Sequence, residues 1–207
     1  GGLVSNYIAK NIKEGDKIKT LAPIGHFKVS KNQYRKNDTI LFIGAGSGIT
    51  PLFSMMQYLL YKTKADISLI YQNKDSASII LQNEIEKLSK KFKNRFKRIN
   101  IFSREESKSN YFGRLKSTIL TQVLANDLSK MDLANTDVYI CGPENMMQEL
   151  SNFLNERGAR NVFTESFYET KDEESIQKLV DEHQLKPSEI EVIDYYDGNK
   201  IFNLNPG

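Results

Sequence analysis

Two short segments put glycines where a ligand can meet backbone. FIGAGSGITPLFSM, Phe42 to Met55, sets Gly44, Gly46 and Gly48 between a β-like run and a helix-like run. CGPENMM, Cys141 to Met147, follows a second apolar run and opens another helical stretch. A glycine turn that opens a helix offers free N–H groups and the positive end of the helix dipole to an anion. Pro51 and Pro143 suit that geometry, because proline is welcome in a first helical turn. Three explanations compete for the first segment: a sharp turn that merely relieves strain, an S-adenosylmethionine loop of a methyltransferase, and a nucleotide site. The usual dinucleotide fingerprint is GxGxxG with an acid about 20 residues on that accepts ribose hydroxyls. Here the glycines run GxGxG, and the next strand ends LIYQNK, with Gln72, Asn73 and Lys74 where the acid belongs. The missing carboxylate also counts against the methyltransferase, and a polar, cationic strand end suits a 2′-phosphate better.

These loops need a scaffold, and the rest of the chain alternates strand and helix signals. Strand-like TILFIG, DISLIYQ, RINIFS, DVYICG and NVFTES are separated by helix-like TPLFSMMQYLLYK, SIILQNEIEKLSKKF, a short helix near Leu115 to Leu124, and PENMMQELSNFLNERG. Such alternation predicts an α/β fold, a doubly wound parallel sheet with right-handed crossovers. Ligands of such sheets bind beyond the carboxyl ends of the strands, where both glycine loops fall. Earlier in the chain, Ser5 is placed to cap a helix over Asn6 to Asn11, and Lys17 to Gly25 reads as a strand.

Composition narrows the classes. With 39% hydrophobic and 27% charged residues over 207 positions, the chain reads as an ordinary globular protein. No apolar run approaches the roughly 20 residues that span a bilayer, and no basic-then-apolar signal opens the sequence, so neither membrane nor export is expected and the location reads as cytoplasmic. Cys141 is the single cysteine, which excludes an intrachain disulfide or a multi-cysteine metal site in this chain. No metal site is expected, and His26 and His183 receive no role. The basic run Lys90 to Arg98 follows an amphipathic stretch and reads as a solvated helix end, not a nucleic-acid patch. Both ends look like cuts: Gly1-Gly2 with no initiator methionine, and NLNPG after a hairpin-like run.

GSGITP, Gly46 to Pro51, followed by CGPENMM, resembles the nicotinamide domain of the ferredoxin-NADP reductase superfamily. LIYQNKDSASIIL, FSREE, GRL, CGPENMM and ESF are most similar to the reductase component of phenylacetyl-CoA epoxidase, in which a flavin barrel and nicotinamide domain precede a plant-type ferredoxin domain. GGLVSNYI with GDKIKTLAPIGHF resembles the end of that flavin barrel, and IEVIDYYDGNKIFNLNPG, turning at Asp197-Gly198, resembles the first hairpin of the ferredoxin. The resemblance therefore implies four parts: residues 1–36 as the last part of an FAD-binding barrel, 37–167 as the NAD(P)-binding domain, 168–189 as a linker with a short helix, and 190–207 as the start of the ferredoxin-like domain, a β-hairpin fragment. The flavin motif of the early barrel and the cysteines of the 2Fe-2S centre are absent from this chain.

The resemblance also implies chemistry. Hydride passes from NADPH to FAD, and single electrons pass on to a 2Fe-2S centre and a redox acceptor such as an oxygenase component. Gly44, Gly46, Ser47 and Gly48 would let backbone approach the pyrophosphate, with Pro51 opening the helix. Thr50 and Cys141 would lie at the nicotinamide, although Thr50 also reads as an ordinary hydroxyl bond to backbone and Cys141 as a small buried core residue. Gly142 and Pro143 would shape the second loop, while Met146 and Met147 read as core. Ser103 and Arg104 would grip the 2′-phosphate, with Lys74 and Lys108 assisting; the alternative pairs Arg104 with Glu105 or Glu106. NADPH is thus preferred to NADH. Glu165 and Phe167 would end beside the isoalloxazine, or Phe167 would cap the sheet. Gly1, Gly2 and Ser5 would face the FAD pyrophosphate. The rivals are the methyltransferase and an NADH-dependent reductase module of flavohaemoglobin or cytochrome type.

Overall fold

The structure is a computed structural model that describes residues 3–13, 15–21, 25–29, 33–34, 38–167 and 187–191. The chain divides into two units, Gly1–Gly25 with Thr170–Gly207, and His26–Glu169. In the first, helix α1 spans Leu3–Asn11, so Ser5 lies inside the helix and does not cap it. Strand β1 (Lys17–Leu21) pairs antiparallel with the last strand, β8 (Pro187–Glu191), from Lys17 opposite Glu191 to Leu21 opposite Pro187. The turn at Asp197-Gly198 and most of the stretch read as linker lie outside the described residues.

The second unit runs β2 (Thr39–Ala45), α2 (Ile49–Lys62), β3 (Asp66–Asn73), α3 (Gln82–Lys91), β4 (Phe96–Phe102), β5 (Tyr111–Phe112), α4 (Ser117–Asn126), β6 (Thr136–Cys141), α5 (Glu144–Glu156) and β7 (Asn161–Glu165). Its six-stranded sheet has the order β5-β4-β3-β2-β6-β7, and every pairing is parallel. This is the expected doubly wound sheet. Strand order reverses at β2, so the carboxyl ends of β2 and β6 stand side by side with Gly44 opposite Cys141. That is the crevice where such sheets bind ligands.

Burial on both faces explains why the strands read as continuous apolar runs. Ile40, Phe42, Leu69, Tyr71 and Tyr139 join one core with Leu52, Met56, Leu59, Ile85 and Leu88 of α2 and α3. Leu41, Ile43, Ile70, Ile99 and Ile140 join the other with Leu120 and Val123 of α4 and Leu150 and Leu154 of α5. Met146 and Met147 are buried in that second core, as their positions on α5 imply. Ser78 to Phe92 is not one helix as expected. The Asp75 carboxylate accepts the Ser78 N–H at 2.8 Å and its hydroxyl at 2.7 Å, closing a short turn. Leu81 then adopts φ 59°, and α3 starts after it. Asp75 thus caps the short turn, and the left-handed backbone of Leu81 is what separates that turn from α3. No helix among the described residues is long and apolar enough to cross a membrane.

Far from the carboxyl ends, a polar cluster closes the opposite rim. Asp137, at the start of β6, is 4% exposed. It accepts from Arg160 Nε at 2.7 Å, Asn161 Nδ2 at 2.8 Å and the Tyr34 hydroxyl at 2.8 Å, and the Tyr34 and Tyr139 hydroxyls are 2.7 Å apart. Tyr139 also stacks on Phe42 and Phe163 and meets the edge of Phe27. The sheet is thereby tied to the chain segment that precedes it. Burial pushes the Asp137 carboxyl up, but the hydrogen bonds from Arg160, Asn161 and Tyr34 outweigh it and hold the group below the usual carboxylate range. A depressed folded value means that this stabilisation is present above the ordinary aspartate range, near about pH 4, and is lost as pH falls through the folded value. Asp137→Ala is expected to cost about 2–3 kcal/mol in urea unfolding at neutral pH, because Arg160 and Tyr34 lose their acceptor. Asp137→Asn should flatten the loss of stability on acidification that the parent chain shows.

Candidate nucleotide site

The two glycine loops are one unit because a glycine is compulsory where they touch. A Cβ built on Gly48 would lie 2.1 Å from the Cys141 carbonyl oxygen, 2.5 Å from its carbon and 3.0 Å from the Gly142 nitrogen. No rotamer relieves that, since the opposing atoms are backbone. On the other side, a Cβ on Gly142 would meet Met146 Cε at 2.7 Å and Ala45 Cβ at 3.0 Å. Gly44 is buried under Leu52 Cδ1, 3.1 Å from where its Cβ would be. Gly46 alone needs glycine for its backbone: φ is +52° and nothing lies within 4 Å. Gly44 and Gly48 thus serve packing, while Gly46 faces open space. The Tyr71 hydroxyl, carried on the neighbouring strand, donates to the Gly46 carbonyl at 2.9 Å and fixes the turn.

The loop after β2 is a 3₁₀ turn, Gly46–Gly48, that runs straight into α2, and its Gly46 and Ser47 carbonyls accept the Ile49 N–H; α5 opens directly after Pro143. Neither α2, capped by Gly48, nor α5, capped by Pro143, has a side-chain oxygen on its first N–H groups. The 3₁₀ turn that leads into α2 and the N-terminus of α5 converge on one crevice, an arrangement suited to a diphosphate. Ser47 is exposed at its rim, Pro51 is half-buried and Pro143 exposed. Thr50 is exposed, and its hydroxyl donates to the Ser47 carbonyl at 3.0 Å, the plain backbone bond that its position allowed.

Cys141 is fully buried and packs in the core that holds Tyr139 and Phe42. Burial first, and the charge of Glu165 second, push its thiol up to about 11. The group is therefore a neutral, compact side chain at neutral pH, not a nucleophile. Glu165 pairs in register with Cys141 across β6 and β7 and is exposed. Phe167 is 54% exposed, so it does not cap the sheet.

A cationic crest stands beside the turn, on the loops after β3 and β4. The Ser103 N–H donates to the Asn73 carbonyl at 3.1 Å and the Arg104 N–H to the Lys74 carbonyl at 2.8 Å, which holds the loops abreast. Arg104 and Lys74 are exposed, and neither side chain has an ion pair or hydrogen bond among the described residues. Lys108, expected to assist them, instead pairs with Glu105 at 2.9 Å. Arg104 is consequently not neutralised by Glu105. Gln72, in the place of the missing acid, accepts the Leu115 N–H at 2.6 Å and positions the loop after β5. The sequence offers Glu105 only as a partner for Arg104, and Ser76, which donates its N–H to Glu105, is not singled out there. Gly1 and Gly2 lie outside the described residues, as does the side chain of Ser5. Among the described residues, no group of His, Cys, Asp and Glu could hold a metal ion.

Residues 42–152 match the oxidoreductase NAD-binding domain family, and the chain belongs to that family. The flavohemoprotein of Schizosaccharomyces pombe is 30% identical over 149 residues, which cover 72% of this chain and 34% of that one. A component of the 1,2-phenylacetyl-CoA epoxidase of Escherichia coli is 31% identical over 160 residues, 76% of this chain and 44% of that one. The FAD/NAD-binding domain of a Vibrio cholerae nitric oxide dioxygenase has the same fold, with a TM-score of 0.62 and 24% identity over 80% of this chain and 65% of that one. Ferredoxin-NADP+ reductases share the fold too, and the family match with the likeness to the epoxidase component bears out the resemblance read from GSGITP and CGPENMM. The chain spans less than half the length of these two curated relatives.

Gly48→Ala is expected to cost at least about 3 kcal/mol, because backbone must move to admit the methyl group. Gly46→Ala meets no atom and should cost only about 1 kcal/mol, the penalty of a left-handed residue. Thermal or urea unfolding of the two variants checks the contrast.

Proposed function

We propose that this chain is the nicotinamide-nucleotide module of a flavoprotein electron-transfer reductase that uses NADPH. The observation that carries the reading is the convergence of the Gly46–Gly48 turn, leading into α2, and the N-terminus of α5 beside an unpaired Arg104 and Lys74. The first pair of elements would hold the pyrophosphate. The crest would hold the 2′-phosphate, with Arg104 offering a planar fork and Lys74 a point charge. Family membership supports a nicotinamide nucleotide over S-adenosylmethionine, and Gln72 in place of an acid supports the phosphorylated ribose.

At the other end of the crevice, Thr50 and the neutral Cys141 would border the nicotinamide, and Glu165 with exposed Phe167 would meet the flavin ring. The buried thiol and the apolar core behind it would keep water from that contact, while the two glycine loops fix the ring through its pyrophosphate. FAD, when bound, supplies the conversion of a hydride pair into single electrons. Residues 1–36, with Gly1, Gly2 and Ser5, would contribute the pyrophosphate side of the flavin barrel, and residues 190–207 would begin a domain carrying a 2Fe-2S centre. The parent protein would pass electrons to an acceptor such as an oxygenase component.

Binding distinguishes the readings. Titration of the chain with NADPH, NADH and S-adenosylmethionine should give the tightest dissociation constant for NADPH. Binding of the last alone would overturn the reductase reading, and equal binding of both nicotinamide forms would favour an NADH-type module. Arg104→Ala should weaken NADPH by roughly tenfold to a hundredfold, the worth of a charge-assisted bidentate contact, and leave NADH within about twofold.

A further inference from the structure

Glu105 presents a puzzle for a site meant to bind a phosphate. It follows Arg104 directly in sequence and carries a negative charge beside the cations of the crest. Electrostatics alone would make its removal favourable to an anionic ligand. Its contacts point the other way. One carboxylate oxygen accepts the Ser76 N–H at 2.7 Å, across from the loop after β3, and the other meets Lys108 Nζ at 2.9 Å. Lys108 closes the ring by donating to the Ser76 hydroxyl at 3.2 Å. The side chain of Glu105 is only 23% exposed, against 64% for Lys108. Bonds from Ser76, through side chain and backbone, and then from Lys108 bring its carboxyl down to about 2, so it is ionised at neutral pH.

The ring therefore bridges the two loops that carry Lys74 and Arg104. Beneath it, two successive backbone bonds, from Ser103 to Asn73 and from Arg104 to Lys74, continue the β3–β4 ladder and hold the loops where they leave the sheet. The Glu105 clasp adds a tie beyond the ladder, at Ser76, through side chains where the backbone bonds have ended.

We infer that Glu105 is a positioning residue for nucleotide selection: it clasps Ser76 and Lys108 so that Arg104 and Lys74 stay side by side, unpaired and aimed at the 2′-phosphate. The inference rests on the proposed 2′-phosphate site and assigns it a determinant that touches no ligand. Glu105 also withdraws Lys108 from the site, leaving selection to Arg104 and Lys74. Repulsion between Glu105 and the phosphate is limited, because its charge is neutralised by Lys108 and screened over a Debye length of about 8 Å.

The test is a double-mutant cycle read by titration of the whole chain with NADPH and NADH. Glu105→Ala should weaken NADPH about tenfold and NADH less than about twofold, because only the phosphate contact depends on the clasp. Glu105→Gln retains an acceptor for the Ser76 N–H and should recover part of the loss. In the Arg104→Ala background, Glu105→Ala should have no further selective effect. Tighter or unchanged NADPH binding by Glu105→Ala would overturn the inference while leaving the phosphate site standing. Equal weakening of both nucleotides would also overturn it, since that is the signature of a general loss of structure. If Arg104→Ala itself weakens both nucleotides equally, the phosphate site fails and the inference fails with it.

Discussion

The fold and the site depend on one contact, the seating of Gly48 against the Cys141–Gly142 peptide. Strands β2 and β6 are adjacent and parallel, and each hands over to a helix at the same height. Two helix N-termini can converge there only if their backbones come within van der Waals contact, and a side chain on either loop prevents that. The absent Cβ of Gly48, 2.1 Å from a carbonyl oxygen if it existed, shows how little room remains. Gly142 fits the same way against Ala45 and Met146. The positive ends of α2 and α5 thus face one crevice, and an anion there meets two dipoles at once.

Charge around this crevice is placed, not merely abundant. The chain carries a formal net charge of only +3, so bulk attraction explains little. What matters is which cations are already engaged. On the loops beside the crevice Lys108 pairs with Glu105, whereas the Lys97–Asp127 and Arg160–Asp137 pairs involve residues at the amino ends of β4 and β6. Arg104 and Lys74 remain free among the described residues, on loops joined by backbone bonds and by the Glu105 clasp. A preorganised pair of this kind loses less conformational freedom on meeting a phosphate than two independent side chains would.

Much of this was legible in the residues. Continuous apolar runs such as Ile40 to Ile43 imply strands covered on both faces, and the glycines before Thr50 and after Cys141 mark strand-to-helix turns at the ligand edge. The reasons for individual glycines were not legible. The pattern treats Gly44, Gly46 and Gly48 alike, yet two answer to tertiary neighbours and one to its own φ. The helix expected from Ser78 breaks at Leu81, whose left-handed backbone divides the turn capped by Asp75 from α3. β5 has two residues, too few to leave a period. The Tyr34, Tyr139 and Asp137 cluster joins residues about a hundred positions apart, and the Glu105 clasp joins two loops through Ser76. Neither leaves a signature in sequence order.

If the two glycine loops form a single pyrophosphate site, both must respond to one bound nucleotide. Backbone amide NMR of the chain titrated with NADP+ reads this directly. The largest shifts are expected at the amides of Gly46 to Thr50 and of Gly142 with Glu144 and Asn145, moving together along one saturation curve. Shifts confined to one loop, or absent from both while the nucleotide binds elsewhere, would contradict a shared site.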